Sequence, residues 1–177
     1  MTVNPQISAD EIISAALSTR SVFVGVGNRL KGDDGFGSHL IEKLKEITSD
    51  VAGVECWDVG AAPENFLGKI DVRDREMLII FDAVRGKRSG PVRGGNTDEN
   101  LVVSRFEGLS GAGFSTHTMT LKMLNDYFKS ENPQLEIYFI GAVLDTTELD
   151  TGISERIRRI IDETVNFIRG CLCTNSH

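Results

Sequence analysis

Four side chains in this sequence carry the chemistry worth weighing. They are the adjacent carboxylates Asp33 and Asp34, the carboxylate of Asp82 and the imidazole of His117. Two carboxylates from separate segments plus an imidazole make a shell suited to a divalent first-row metal ion. An ion held this way, with positions left open, polarises a carbonyl or acidifies a bound water. No other hydrolytic machinery is visible. There is no Gly-x-Ser-x-Gly elbow, no cysteine within a histidine motif and no His-Glu-x-x-His helix.

The elements that must position these groups follow from hydrophobic pattern. Ala9 to Leu17 reads as a short leading helix, and Ser21 to Gly27 as a buried strand ending in a polar turn. From Asp34 to Ile47, apolar residues at Phe36, Leu40, Ile41, Leu44 and Ile47 have helical spacing. Val54 to Val59 reads as a second strand, and Pro63 as the start of a further helix with Glu64 in its first turn. The apolar run Met77 to Phe81 is the clearest central strand and ends at Asp82. Leu101 to Phe106 and Leu135 to Val143 are two more strands, with a helix through Leu121, Leu124 and Phe128 between them. Ile153 to Ile168 is the apolar stripe of a closing helix. The alternation predicts an α/β fold with helices on both faces of a mixed sheet. The step from third to fourth strand has no helical pattern, so the fourth is expected to run antiparallel. With no repeat, low-complexity tract or linker, the expectation is one domain spanning 1–177.

In such a sheet, ligands bind beyond the carboxyl ends of the strands where the winding direction reverses. The first and third strands are the expected neighbours there, which brings Asp33 and Asp34 to the same crevice as Asp82, with His117 overhanging it. Each residue also has an ordinary structural role to weigh. Asp82 can cap a turn, Asp33 or Asp34 can cap the following helix, and His117 can be a plain helix-start residue beside Ser115 and Thr116.

Gly25-Val26-Gly27 begins like a dinucleotide fingerprint, but Leu30 stands where the third glycine belongs. The acidic pair also falls where phosphates would sit, so no nucleotide cofactor is expected. The net charge of −7 argues against nucleic-acid binding. The apolar runs are strand-length, so no membrane insertion is expected. Met1 to Asp10 has no secretory pattern, and three cysteines, Cys56, Cys171 and Cys173, suit a reduced, cytoplasmic protein. Cys171, Cys173 and His177 match no zinc spacing and read as a plain terminal tail.

The same residues carry a family resemblance. Gly25-Val26-Gly27-Asn28 followed by Gly32-Asp33-Asp34-Gly35-Phe36-Gly37 resembles the opening signature of the [NiFe]-hydrogenase maturation proteases. Asp58 to Asn65, Leu78 to Ala83, Ser115 to Met119 and Ile140-Gly141 continue the likeness, nearest to the branch serving hydrogenase 3-type enzymes. The resemblance implies a three-layer α/β/α sandwich with a twisted five-stranded sheet, one strand antiparallel, in the phosphorylase/hydrolase-like manner. It implies an endopeptidase, expected as a monomer, that removes the C-terminal extension of a hydrogenase large-subunit precursor after nickel insertion. By the family pattern Asp34, Asp82 and His117 are the metal-contacting and catalytic residues, and the nickel belongs to the substrate. Asp33 is then the spare carboxylate, available as a base or to orient a ligand, while Gly27 and Asn28 shape the pocket wall. An alternative is a nickel-binding assembly chaperone without peptidase activity. The sequence departs from the family pattern at Val84 to Asn100, where Gly90-Pro91 is reversed. Arg85, Lys87, Arg88 and Arg93 crowd this loop, which is expected to be solvated, with docking to an acidic patch as the alternative.

Overall fold

The computed structural model describes residues 8–85, 101–106, 118–144 and 152–174. Helix α1 (Ala9–Leu17) starts at a reciprocal cap, in which Ser8 Oγ accepts from Glu11 N while the Glu11 carboxylate accepts from Ser8 N. Strand β1 (Ser21–Val26) is buried along its whole length. After a 3-10 turn at Gly32–Gly35 come α2 (Phe36–Thr48) and β2 (Val54–Gly60). Strand β3 (Met77–Arg85), β4 (Leu101–Arg105), α3 (Thr118–Glu131), β5 (Glu136–Leu144) and α4 (Glu155–Thr174) complete the described elements. Of the loop expected over Val84 to Asn100, Val84 and Arg85 belong instead to β3, where they pair with Val143 and Leu144; the rest, with Lys87, Arg88, Gly90-Pro91 and Arg93, lies outside the described residues, as do Ser115, Thr116, His117 and His177.

The five strands lie in the order β2-β1-β3-β5-β4. All neighbours are parallel except β4 and β5, which are antiparallel, as the sequence pattern before the fourth strand leads one to expect. The chain passes from β1 outward to β2 and then back across to β3, so the winding reverses between β1 and β3. This is the switch point the sequence pattern anticipates.

Asp82 corrects one detail. It does not end its strand: β3 runs on to Arg85 and stays paired with β5 to Leu144. Pairing with β1 stops earlier, at Gly25 opposite Phe81. Asp82 is therefore the first residue of β3 beyond its ladder with β1. A mid-sheet strand that outruns one neighbour keeps its ladder on the other side, which an apolar run cut short by a carboxylate does not reveal.

Alternation along β3 divides the core. Met77, Ile79, Phe81 and Ala83 face the layer built by α1, α2 and α4. Leu78, Ile80 and Val84 face the layer that includes Leu121, Leu124 and Phe128 of α3. Asp82 has the parity of the second face. That layer holds a second departure from expectation. The segment after Pro63 makes a single 3-10 turn, Pro63–Phe66, instead of a helix. Leu67 leaves helical geometry at φ −55, ψ 129, and Ile70 and Val72 are buried beside α3. Gly68 takes φ 77 and the chain turns before Ile70 and Val72 are buried, which opposes a continued helix.

Helix α2 meets the sheet closely at its start. A Cβ on Gly37 would lie 2.1 Å from Phe81 O and 2.4 Å from Val26 O. Only glycine lets the helix settle between the ends of β1 and β3. Gly37→Ala is therefore expected to cost about 3 kcal/mol, the upper end for overpacking, because the new methyl meets rigid backbone. Gly170→Ala, in α4 with nothing within 4 Å of the new methyl, is expected to stabilise by about 0.5–1 kcal/mol through helix propensity. Urea denaturation of the two variants checks the contrast, and similar midpoints would refute the close-packing account.

Candidate functional site

The site is built at the switch point, from the loop that joins β1 to α2. Gly27 N donates to Gly60 O at 3.0 Å, which fixes the loop's start to the end of β2. Between β1 and β2 the register slips, with Gly25 opposite Asp58 but Val26 opposite Gly60, so the edge bulges beside the site. Gly27 has φ 146, and a Cβ there would lie 2.3 Å from Asp34 O. The residue needs to be glycine for both reasons. Ser38 Oγ, buried, donates to Gly27 O at 3.0 Å. Asn28 N reaches Asp34 O at 3.2 Å, closing the loop on itself. Asn28 Oδ1 accepts from Leu30 N at 3.0 Å, and Asn28 O accepts from Lys31 N at 2.9 Å. Asp34 N then donates to Lys31 O at 3.1 Å.

Arg29 fastens this loop to its surroundings. Its guanidinium donates to Glu42 at 2.7 Å, to Ser38 O at 3.0 Å and to Asp58 at 2.8 Å. One rigid fork thus joins the loop to α2 and to β2. Asp58 is held in turn by Gly60 N at 3.1 Å. The sequence pattern offered no reason to single out Arg29, Ser38 or Asp58 as supports, because their partners lie in three different elements. His39 sits beside this cluster with its ring against Gly35. Partial burial, and then the positive charge of Arg29, lower its pKa below the ordinary value.

The two adjacent aspartates have different surroundings. Asp33 Oδ1 accepts from Ser154 N at 2.7 Å, at the start of α4. Ser154 Oγ accepts from Ile157 N at 3.2 Å, so the pair organises the helix N-terminus. The expectation of Asp33 as a spare base meets a carboxylate already occupied in holding α4. Asp34 Oδ1 is shielded from solvent and has no hydrogen-bond partner among the described residues. A buried carboxylate oxygen without a donor is costly, and a cation is the natural group to satisfy it. Asp82 is fully buried, and its Oδ1 accepts from Ala83 N at 2.8 Å.

The seating of Gly37 against Phe81 O brings the first turn of α2 to the residue before Asp82. Asp34 and Asp82 therefore lie at the same end of the same pair of strands. Helix α3 begins at Thr118, directly after His117, and covers the face whose parity Asp82 shares. His117 itself lies outside the described residues. Among the described residues no three His, Cys, Asp or Glu side chains converge as a metal cage. Cys171 and Cys173 fall within α4 instead of a loose tail, half-buried and exposed respectively. Two residues apart on a helix, they point to different sides. Cys56 is packed near Thr48, and burial raises its thiol pKa, against nucleophilic reactivity.

Comparison with known proteins decides the family. A model of the hydrogenase maturation proteases, HycI, matches residues 38–170, well over half of the chain. The chain belongs to the hydrogenase maturation protease family. A putative hydrogenase maturation protease of Methanocaldococcus jannaschii is 27% identical over 154 residues, covering 84% of this chain and 94% of that protein. The hydrogenase 3 maturation protease of Escherichia coli K12 is 27% identical over 150 residues, covering 84% and 88%. The crystal structure of a [NiFe] hydrogenase maturation protease from Thermococcus kodakarensis KOD1 superposes with a TM-score of 0.72 at 27% identity, covering 91% of this chain and 98% of that one. Like its relatives, this hydrogenase maturation protease is an endopeptidase built on a mixed five-stranded α/β sheet. The interval matched by the family model includes Asp82 and His117 and begins after Asp34. No helix among the described residues of this family member is long and apolar enough to cross a membrane.

The contrast between the aspartates has a measurable consequence. Asp33→Ala is expected to lose about 1 kcal/mol through the vacated α4 terminus. Asp34→Ala removes an unsatisfied buried oxygen, so metal-free protein is expected to change by less than about 0.5 kcal/mol or to gain stability. Paired urea titrations in a chelator check both signs.

Proposed function

We propose that this protease removes the C-terminal extension of a [NiFe]-hydrogenase large-subunit precursor once nickel has been inserted, and that it recognises the substrate's nickel through Asp34, Asp82 and His117. The observation that carries this reading is the shielded, partnerless Oδ1 of Asp34 at the switch point. Family membership supports the choice of substrate. The donor set fits the ion: two carboxylates and one imidazole suit a divalent first-row metal and leave positions for its own ligands. Nickel bound in the precursor would supply Lewis acidity close to the scissile bond.

The chain's own residues supply position. Asp34 is held by backbone contacts to Asn28 and Lys31, so its carboxylate is aimed without relying on a flexible stem. Asp82 is fixed by the β3–β5 ladder on both sides of it. His117 stands one residue before α3, and a neutral imidazole there would complete the set. The substrate thereby brings the charge that the two carboxylates are arranged to meet. A precursor without nickel would place uncompensated carboxylates against its tail, so discrimination would follow from electrostatics as well as fit.

The experiment is to mix purified protein with nickel-loaded or nickel-free precursor and weigh the product by mass spectrometry. The nickel-loaded precursor is expected to lose its tail and the nickel-free one to keep it. Asp34→Ala, Asp82→Asn and His117→Ala are each expected to slow trimming by at least about a hundredfold, the scale of losing a transition-state contact. Circular dichroism shows whether each variant remains folded. Unchanged trimming by folded His117→Ala would exclude the metal-reading role. Tight binding of nickel-loaded precursor without trimming would assign the chain as an assembly chaperone instead.

A further inference from the structure

The loop that carries Asp34 also carries Leu30, which is 91% exposed. Among the described residues the next large exposed apolar side chain is Met123, at 45%. One bare leucine on a surface says little. The difference here is how firmly it is held. Its own N–H is bound to Asn28 Oδ1, and the next N–H, on Lys31, is bound to Asn28 O. The preceding residue, Arg29, is tied to Glu42, Ser38 O and Asp58. An apolar side chain is thus presented at the tip of a braced turn, four residues before Asp34. Water gains nothing from this, and no packing in the chain requires it.

We infer that Leu30 is the anchor for the protein substrate: it enters an apolar pocket on the large-subunit precursor next to the cleavage segment and sets the precursor's register over Asp34. This rests on the reading given under Proposed function. A pre-formed turn loses little conformational freedom on binding, so most of the apolar burial appears as affinity. Side chains that enter well-packed, fully desolvated pockets carry most of an interface's binding energy. The placement also explains the bracing. Arg29 holds the anchor and the carboxylate in one rigid piece, so docking Leu30 delivers the substrate's metal to a fixed distance from Asp34.

The test uses the full-length protein and nickel-loaded precursor, with two readouts: equilibrium binding of the precursor, and KM and kcat for trimming. Leu30→Ser is expected to weaken binding and to raise KM at least about fivefold, the threshold at which a truncated interface contact counts as significant, with kcat within twofold of wild type. Leu30→Met, of similar volume, is expected to stay within twofold of wild type in both. A change of less than fivefold in Leu30→Ser overturns the anchor, as does a fall in kcat at constant KM. An equal loss in Leu30→Met also overturns it, because a disturbed turn would then be responsible. If wild-type protein binds the precursor without trimming it and Leu30→Ser binds at least fivefold more weakly, the anchor stands and the proposed function falls. If wild-type protein neither binds nor trims, both fall. Self-association of the wild type that is lost in Leu30→Ser, with precursor binding unchanged, would assign Leu30 to a contact between copies and overturn the inference.

Discussion

The approach of α2 to the strand ends is the constraint from which the rest of the site follows. Gly37 lets the helix start lie against the carbonyls of Val26 and Phe81. That contact decides where the 3-10 turn at Gly32–Gly35 must sit, and hence where Asp34 points. A side chain at position 37 would push the helix away from the sheet. The loop would then lose its geometry with β1 and β3 even if every hydrogen bond within it survived. The carboxylates are brought together by a packing distance between backbones, not by any attraction between themselves.

Around that contact the protein spends its polar interactions on support. Ser38, Asn28, Arg29 and Asp58 each bind a neighbour whose role is to hold the loop. Arg29 is half exposed, and an exposed ion pair would contribute little alone. Three acceptors around one planar fork give geometric definition instead. The exception is Asp34 Oδ1, which is buried and unsupported. Within this loop, support for every other buried polar side-chain atom and none for this one oxygen is the usual mark of a site shaped for something the free chain lacks.

Much of this was legible before the structure. The strand runs of β1 and β3 gave their adjacency through the switch-point rule, and the lack of a helical sequence pattern between the third and fourth strands gave the antiparallel edge. The stripe from Ile157 to Ile168 is buried as its spacing requires. What could not be read depends on contacts between distant segments. The extension of β3 past Asp82 is set by its partner β5, not by the residues of β3. The segment after Pro63 has a helix-start signal, but burial of Ile70 and Val72 against α3 governs its shape. Asp33 and Asp34 are indistinguishable as sequence, and only the approach of Ser154 separates them. His117 stays a reading of sequence and family, because it lies outside the described residues.

The bond between Asp33 and Ser154 joins residues 121 positions apart. Ser154 comes long after Asp33 in synthesis, and its helix completes the layer that α1 and α2 begin on the sheet. While the protein is being made, the loop bearing Asp34 and Leu30 exists early but lacks its tether to α4. Docking of α4 adds the last of the turn's supports, after those that Asn28, Arg29 and Ser38 supply.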